Sequence, residues 1–257
     1  MAIRKIPPAN ANDRTRKQSI IHKVVLLQHG GSHNYGPCPL SIPANRQICT
    51  GGTTMTALLG PDLGDGQMVG SKTNSTSLQP LMGLLNAHSN KKWIAGHLLN
   101  ADLGGSGVRD NNLTPLTVAA NNAHRVFEGH IKRMLLACNQ IDRNDQDSNH
   151  WYGVRYAVQV SAPRYAAAPA PGDMHSYAPS HITLDYRFVR LPKFPPGVPA
   201  HTAPSPPQTS QPVAAGDTHF ATLAAVVRPN FAPSQNINAW QVLDGGLRFG
   251  VEIHNEA

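Results

Sequence analysis

The stretch Trp93–Lys132 carries side chains whose types and spacing could do chemistry. His97 follows Gly96 in an apolar, strand-like segment, and a Gly-rich turn comes next. A long helical pattern then places polar residues at positions i, i+4, i+7 and i+11, which align along one stripe of a helix. These residues are Asn121, Arg125, Glu128 and Lys132. The sequence therefore predicts a strand histidine followed by a helix that bears an amide, a carboxylate and two cations.

These residue types fit the hydrolysis of a phosphodiester bond. Neutral imidazole can deprotonate water near pH 7 because its pKa is about 6.5, so His97 is the predicted general base. A hard divalent cation stabilises the developing phosphate charge and takes oxygen ligands such as the Asn121 side chain. The adjacent Asn122 is the ligand instead if the helical register is shifted by one. Glu128 is predicted to orient metal-bound water. The cations predicted to contact phosphate are Arg109, Arg125 and Lys132.

Read in order, the motifs of this stretch resemble the DNA/RNA non-specific endonucleases of the ββα-metal (His-Me finger) superfamily. The motifs are G-H-L-L-N-A-D-L-G-G, N-L-T-P, A-N-N-A-H and a later helix glutamate. The resemblance implies that His97 is the general base, that Asn121 is the sole protein ligand of one Mg²⁺ ion, and that Glu128 positions metal-bound water. It also implies that Asn112 closes the loop of the motif. The structural residues of the motif are expected to be Gly96, Gly104, Gly105 and Asn112.

The sequence departs from the family at the histidine motif. The family has D-R-G-H, in which the arginine often contacts phosphate, whereas this chain has Ile94-Ala95-Gly96-His97. One of the three cations named above would have to replace that arginine. Mn²⁺ is an alternative to Mg²⁺ because both ions accept oxygen ligands. His124 matches the histidine of A-N-x-x-H and supports the resemblance without a predicted chemical role.

The remaining patterns predict an α+β fold, with a mostly antiparallel sheet packed on one long helix. The helix is predicted over Asn112–Asp142, with Thr114 or Thr117 as its N-cap and Pro115 in its first turn. A short helix is predicted at Leu81–Leu85, a hairpin within Met55–Gly70, and a loop from His29 to Gly52. Strands are predicted at Ile20–Leu27, Trp151–Val160, Ile182–Phe188, residues 219–227 and residues 247–254.

Composition shifts divide the chain into four parts. We expect residues 1–18 to form a basic flexible arm and residues 19–190 to form the ββα-metal nuclease domain. Residues 191–213 hold eight of the chain's prolines and are expected to be an extended segment without packed secondary structure. Residues 214–257 are expected to add strands to the same domain. Cys38 and Cys49 could pair or remain free.

The charge of the chain suits a polyanionic partner. The formal net charge is +7, which favours attraction to DNA or RNA without proving activity. No run of 18 apolar residues is present, so no membrane span is predicted, and the N-terminus does not resemble a secretory signal peptide. We therefore expect a Mg²⁺-dependent, sequence-non-specific endonuclease. We expect it to be made in the cytoplasm and exported by a dedicated secretion system as a bacterial toxin or effector, with a cognate immunity protein.

Two alternatives remain open at this stage. The first is a non-catalytic binding or structural module on the same scaffold. The second is a ββα-metal enzyme with structure-specific or guided cleavage. Preference for DNA over RNA is also left open.

Overall fold

The computed structural model describes residues 22–35, 49–61, 70–74, 77–144, 150–163, 177–192, 210–227, 237–243 and 247–255. The predicted basic arm, Cys38 and most of the Pro-rich segment lie outside these ranges. Cys49 is a buried free thiol. The described chain has the predicted α+β fold with a mostly antiparallel sheet. None of the helices in these ranges is long and apolar enough to cross a membrane.

Eleven strands and three α-helices make up the described chain. The strands are β1 (His22–His29), β2 (Ser32–Asn34), β3 (Thr50–Gly52), β4 (Thr54–Pro61), β5 (Trp93–His97), β6 (Leu113–Thr117), β7 (His150–Val160), β8 (His181–Pro192), β9 (Gln211–Pro212), β10 (Ile237–Leu243) and β11 (Arg248–His254). The helices are α1 (Gln79–His88), α2 (Val118–Asn144) and α3 (Phe220–Val227).

The main sheet has seven described strands in the order β1-β4-β7-β8-β11-β10, with β9 beside β8. Alternation along β7 and β8 sends one set of side chains into the core, as predicted, because successive residues of a strand face opposite sides. Tyr156 and Tyr186, for example, are buried partners across the two strands. The core lies between this face and α2, whose Phe127, Ile131 and Leu135 are buried at helical spacing.

The predicted general base and metal ligand lie on a pair of strands outside the main sheet and on the long helix that follows it. β5 pairs with β6 in antiparallel fashion, and α2 follows β6 directly. The Ala120 N–H donates to Thr117 Oγ1 at 3.2 Å, so Thr117 caps the helix. Asn255, just beyond β11, accepts from the Thr117 N–H and donates to the Pro115 carbonyl. The last strand of the main sheet therefore holds the junction of β6 and α2 in place.

The predicted start of the long helix is wrong by six residues. Thr114 precedes a proline, which disfavours the helical backbone, and Pro115 has no N–H to donate. Pro115 instead lies in β6, opposite Ala95. The Val118 N–H donates to the Lys92 carbonyl, and the Leu98 N–H donates to the Asn112 carbonyl, so these are two hydrogen-bonded pairs on either side of Pro115. Since such bonds alternate along an antiparallel pair, Ala95 and Pro115 occupy a non-hydrogen-bonded position, where the missing N–H costs no bond.

Three other local predictions are wrong. Residues 219–227 are mostly helix, because their alanine content favours helix and Leu223 and Val227 are buried one turn apart. β4, the described part of the predicted hairpin, pairs with β1 and β7 on its two edges instead; residues 62–69 of the predicted hairpin lie outside the described residues. The predicted loop from His29 to Gly52 contains the paired strands β2 and β3.

The described ends of the Pro-rich segment, which was predicted to lack packed secondary structure, lie in paired strands. Residues 191–192 continue β8, and Gln211–Pro212 pair with that strand as β9. Val213 is buried. The C-terminal strands β10 and β11 join the main sheet through β8, so residues before and after this segment share one sheet.

Candidate active site

His97 lies at the end of β5 beneath a short segment, residues 70–74, which we name the strap. Its Nε2 lies 3.0 Å from the Ser71 carbonyl oxygen, and its Nδ1 lies 3.4 Å from Thr73 Oγ1. A carbonyl can only accept, so Nε2 carries the proton of the neutral ring and the lone pair is on Nδ1. Burial lowers the pKa of His97, although the hydrogen bond to Ser71 opposes this shift. The ring is therefore neutral near pH 7, with Nδ1 as its basic atom.

The strap is anchored to the loop between β5 and β6. The Ser71 N–H donates to the Gly105 carbonyl at 3.1 Å, and Ser71 Oγ accepts from the Gly107 N–H at 2.8 Å. A Cβ on Gly105 would overlap the Leu99 carbonyl oxygen, so the close approach of Gly105 to Leu99 requires glycine. Gly104 has a φ of 95°, which also favours glycine. Both glycines thus have a structural reason to be present.

Asn121 lies in the first turns of α2 and reaches toward β5. A Cβ built on Gly96 would lie 3.2 Å from Asn121 Oδ1 and 2.5 Å from Leu116 Cδ1. The absence of a side chain at Gly96 therefore leaves space for the amide oxygen beside the residue that precedes His97. Asn122 is exposed. The helical register thus directs Asn121, and not Asn122, toward Gly96 of β5.

Asn112 closes the loop between the two strands. It is fully buried, and its Nδ2 donates to the carbonyls of Leu99 and Ser106 at 3.0 and 2.9 Å. Its Oδ1 accepts from the Leu99 N–H at 3.0 Å and lies 3.1 Å from His29 Nε2. All the hydrogen-bonding sites of the amide are used, so Asn112 fixes the loop on which the strap rests.

Glu128 has a different environment from the predicted one. The residue is 3% exposed, and its two side-chain oxygens accept from the backbone N–H and the Nδ2 of Asn100, each at 2.9 Å. Burial raises its pKa to about 8, although these hydrogen bonds pull it down. The contacts of Glu128 tether the residues after β5 to α2. Its role in orienting metal-bound water stays a prediction.

His124 is a buried neighbour of this site. Its Nε2 is hydrogen-bonded to the Tyr156 hydroxyl and lies 3.7 Å from Glu128 Oε1. Burial, and then the proximity of His97, lower its pKa to about 3. His124 is therefore neutral, and it packs the helix against β7.

The three predicted phosphate contacts lie in different surroundings. Arg125 is exposed on α2, one turn beyond Asn121, and Arg109 is exposed in the loop that precedes β6. Lys132 Nζ lies 2.6 Å from Asp102 Oδ2. The structure thus leaves Arg125 and Arg109 open to a ligand, whereas Lys132 is held by a carboxylate.

Comparison with known proteins gives no match. No family model, curated protein or solved structure matches the chain. The function therefore has to be argued from the residues and their geometry.

The sequence did not indicate the strap or the partner of Glu128. Ser71 lies 26 residues before His97, and Asn100 lies 28 residues before Glu128. No spacing rule links such pairs, because both contacts arise only when the loop folds back on β5. The polar composition of residues 71–74 is the one available signal, and it is equally typical of a surface loop.

Proposed function

We propose that the chain is a divalent-metal-dependent, sequence-non-specific endonuclease of the ββα-metal type. One observation carries the proposal. A backbone carbonyl holds Nε2 of His97 and leaves Nδ1 as a base, while Asn121 Oδ1 lies beside Gly96, the residue that precedes the histidine. A base and a hard oxygen ligand on neighbouring elements suit metal-assisted hydrolysis of a phosphodiester.

The donor set fits a hard ion that keeps most of its waters. Within the described ranges, no group of three or more His, Cys, Asp or Glu side chains could hold a metal ion. A single amide oxygen suits Mg²⁺ or Mn²⁺, because Mg²⁺ often binds through few protein ligands with water and phosphate completing its shell. When bound at Asn121, such an ion would supply charge stabilisation on the phosphate and the leaving oxygen.

The residues of the chain have separate tasks in the proposed reaction. Nδ1 of His97 takes a proton from the water that attacks phosphorus. The Nε2–H group stays hydrogen-bonded to the Ser71 carbonyl, and this hydrogen bond stabilises the imidazolium that forms. The water oxygen bonds to phosphorus and the P–O3′ bond breaks. The leaving O3′ oxygen takes a proton from solvent water, so the products carry a 5′-phosphate and a 3′-hydroxyl. Arg125 and Arg109 would hold the phosphate backbone, in place of the arginine missing from the histidine motif.

The proposal extends to substrate and partners. Contacts with phosphates carry no sequence information, so the substrate is DNA of any sequence, with RNA as a second substrate to be tested. Such an enzyme would also cut the nucleic acid of the cell that makes it. We therefore include export as a toxin or effector, and a cognate immunity protein, in the proposal.

Digestion of a supercoiled plasmid by the full chain tests the proposal. We expect cleavage with Mg²⁺, none with EDTA, and none with His97→Ala in Mg²⁺. Linear DNA, single-stranded DNA and RNA then distinguish a non-specific enzyme from a structure-specific one. Failure of the wild type to cleave any of these substrates in Mg²⁺ or Mn²⁺ would favour a non-catalytic module, and activity that survives EDTA would overturn the proposed site.

A further inference from the structure

We propose that the Thr73 hydroxyl orients the attacking water on Nδ1 of His97. This inference rests on the proposed function and names a residue of that same site. It starts from the strap, because Ser71 and Thr73 contact the two ring nitrogens of His97 from the same short segment.

The Thr73 hydroxyl has two acceptors within reach and only one hydrogen to give. Its Oγ1 lies 3.3 Å from the Ala95 carbonyl oxygen and 3.4 Å from Nδ1 of His97. In the β5–β6 pair, Ala95 occupies a non-hydrogen-bonded position opposite Pro115, so its carbonyl points away from β6. The Ala95 carbonyl therefore accepts a hydrogen bond from the Thr73 hydroxyl.

Donation to Ala95 leaves only lone pairs of Thr73 facing Nδ1. The Nδ1 atom also presents a lone pair, because the ring proton is held by the Ser71 carbonyl on Nε2. Two acceptors that face each other need a donor between them. Water has two hydrogens, and a water about 2.8 Å from each atom would fit over the 3.4 Å separation of Thr73 Oγ1 and Nδ1.

Such a water would be placed for the proposed reaction. One of its hydrogens points at Nδ1, which takes that proton, and the other is held by Thr73. The water oxygen then presents a lone pair to the phosphorus. After proton transfer, Nδ1–H becomes a donor, and the Thr73 oxygen can accept from it.

The test compares Thr73→Val with Thr73→Ser in the full chain, with plasmid DNA and Mg²⁺. Thr73→Val keeps the shape and removes the oxygen, so we expect kcat to fall about five- to tenfold, as the loss of one hydrogen bond would predict. KM should not change, and Thr73→Ser should retain most of the wild-type kcat. Thr73→Ala gives the same reading if the valine variant does not fold.

The control is Thr53→Val. The Thr53 hydroxyl also donates to a backbone carbonyl, that of Gly31, at 2.9 Å, and it is not part of the site. We expect this variant to cleave at the wild-type rate. A general effect of losing a threonine hydroxyl would instead appear in both valine variants.

The pH dependence separates orientation of water from a merely structural role. The Thr73 oxygen accepts from the protonated ring in our proposal, so its removal should move the acid limb of the kcat profile to lower pH. Donation from Thr73 to Nδ1 would stabilise the neutral ring, and its removal would move that limb to higher pH. An NMR titration of His97 in both proteins gives the same direction without requiring cleavage.

The outcomes keep this inference and the proposed function apart. If the wild type cleaves, His97→Ala does not, and Thr73→Val matches the wild type in kcat and acid limb, the inference is overturned and the nuclease proposal stands. A shift of the limb to higher pH also overturns it. If the wild type does not cleave, both fail.

Discussion

His97 and His130 lie in two regions of the molecule and share one device. In each, Nε2 faces a backbone carbonyl, that of Ser71 at 3.0 Å for His97 and that of Val227 at 2.6 Å for His130. At His130, however, Nδ1 lies 3.0 Å from the guanidinium of Arg133, which donates to it. At His97, Nδ1 faces a hydroxyl at the edge of a loop.

This difference separates a structural histidine from a candidate base. His130 is 1% exposed, and burial lowers its pKa to about 4. Its lone pair is used within the protein. His97 is only half-buried, and its lone pair can meet a water molecule. A carbonyl that fixes the tautomer is therefore no sign of chemistry by itself, and the group that meets Nδ1 decides the role.

The largest expected effect is that substitution of His97 impairs cleavage, whereas substitution of His130 impairs folding stability. His97→Gln should lower the Mg²⁺-dependent cleavage rate by about 10²- to 10⁴-fold, because it removes a general base. His130→Gln should lower the free energy of unfolding by about 1–3 kcal/mol, because it disrupts buried hydrogen bonds, while the folded fraction keeps its specific activity. Plasmid cleavage and urea unfolding measure the two quantities. Comparable loss of catalysis in the folded fraction of both variants would remove the distinction.

The next effect concerns two adjacent asparagines of α2. Asn121→Ala should reduce cleavage by about 100-fold at limiting Mg²⁺, as expected when a metal ligand or its close support is lost. Asn122→Ala should stay within about twofold of the wild type, since its side chain is exposed. Rates measured over a Mg²⁺ titration provide the comparison. Equal effects of the two substitutions would mean that the helical register does not select the ligand.

A smaller effect involves the buried carboxyl group next to the His97 region. The folded state holds the proton of Glu128 up to a pKa of about 8, whereas the ordinary value is 4.5. The free energy of unfolding therefore falls as pH rises between these values, because only the unfolded chain releases the proton. Glu128→Gln cannot release this proton, so its free energy of unfolding lacks this decrease with pH. The free energy of unfolding of the variant minus that of the wild type should therefore rise by about 2 kcal/mol from about pH 5 to about pH 7.

Urea unfolding of both proteins at the two pH values checks this prediction. The buried histidines contribute slopes of opposite sign, but these contributions cancel in the difference between wild type and variant. A difference that does not change with pH would mean that Glu128 is already ionised in the fold.

The smallest expected effect concerns the cations around the site. Arg125→Ala should reduce the salt dependence of DNA binding by about one phosphate contact, a change of roughly 0.9 in the slope of log K against log salt. Lys132→Ala should change it by less, because Lys132 is paired with Asp102 at 2.6 Å. Binding in Ca²⁺ at several salt concentrations measures both slopes. A larger change for Lys132 would show that its ion pair opens to bind DNA.

The sequence was sufficient for features that depend on local periodicity. Alternation in β7 and β8 and the buried spacing of Phe127, Ile131 and Leu135 predicted the sheet and the main helix. The same periodicity placed His97 on a strand and Asn121 on the helix that follows. These features could be predicted because neighbours in sequence determine which face a side chain occupies.

Features set by distant contacts could not be predicted in this way. The start of α2 depends on Asn255, which holds Thr117 from the far end of the chain. The tautomer of His97 depends on the strap, and the burial of Glu128 depends on Asn100. The pattern within one helix predicted a water-orienting role for Glu128, but it contained no information about the loop that packs on this side chain.

A double-mutant cycle tests most directly whether His97 and Asn121 form one Mg²⁺-dependent site. The measurement is the plasmid cleavage rate of His97→Gln, Asn121→Ala and the double variant under the same conditions. Residues that act as a unit give strongly non-additive losses. We therefore predict that the double variant cleaves no more slowly than the slower single variant. A double variant whose loss equals the product of the two single losses would contradict the account, because the two side chains would then act independently.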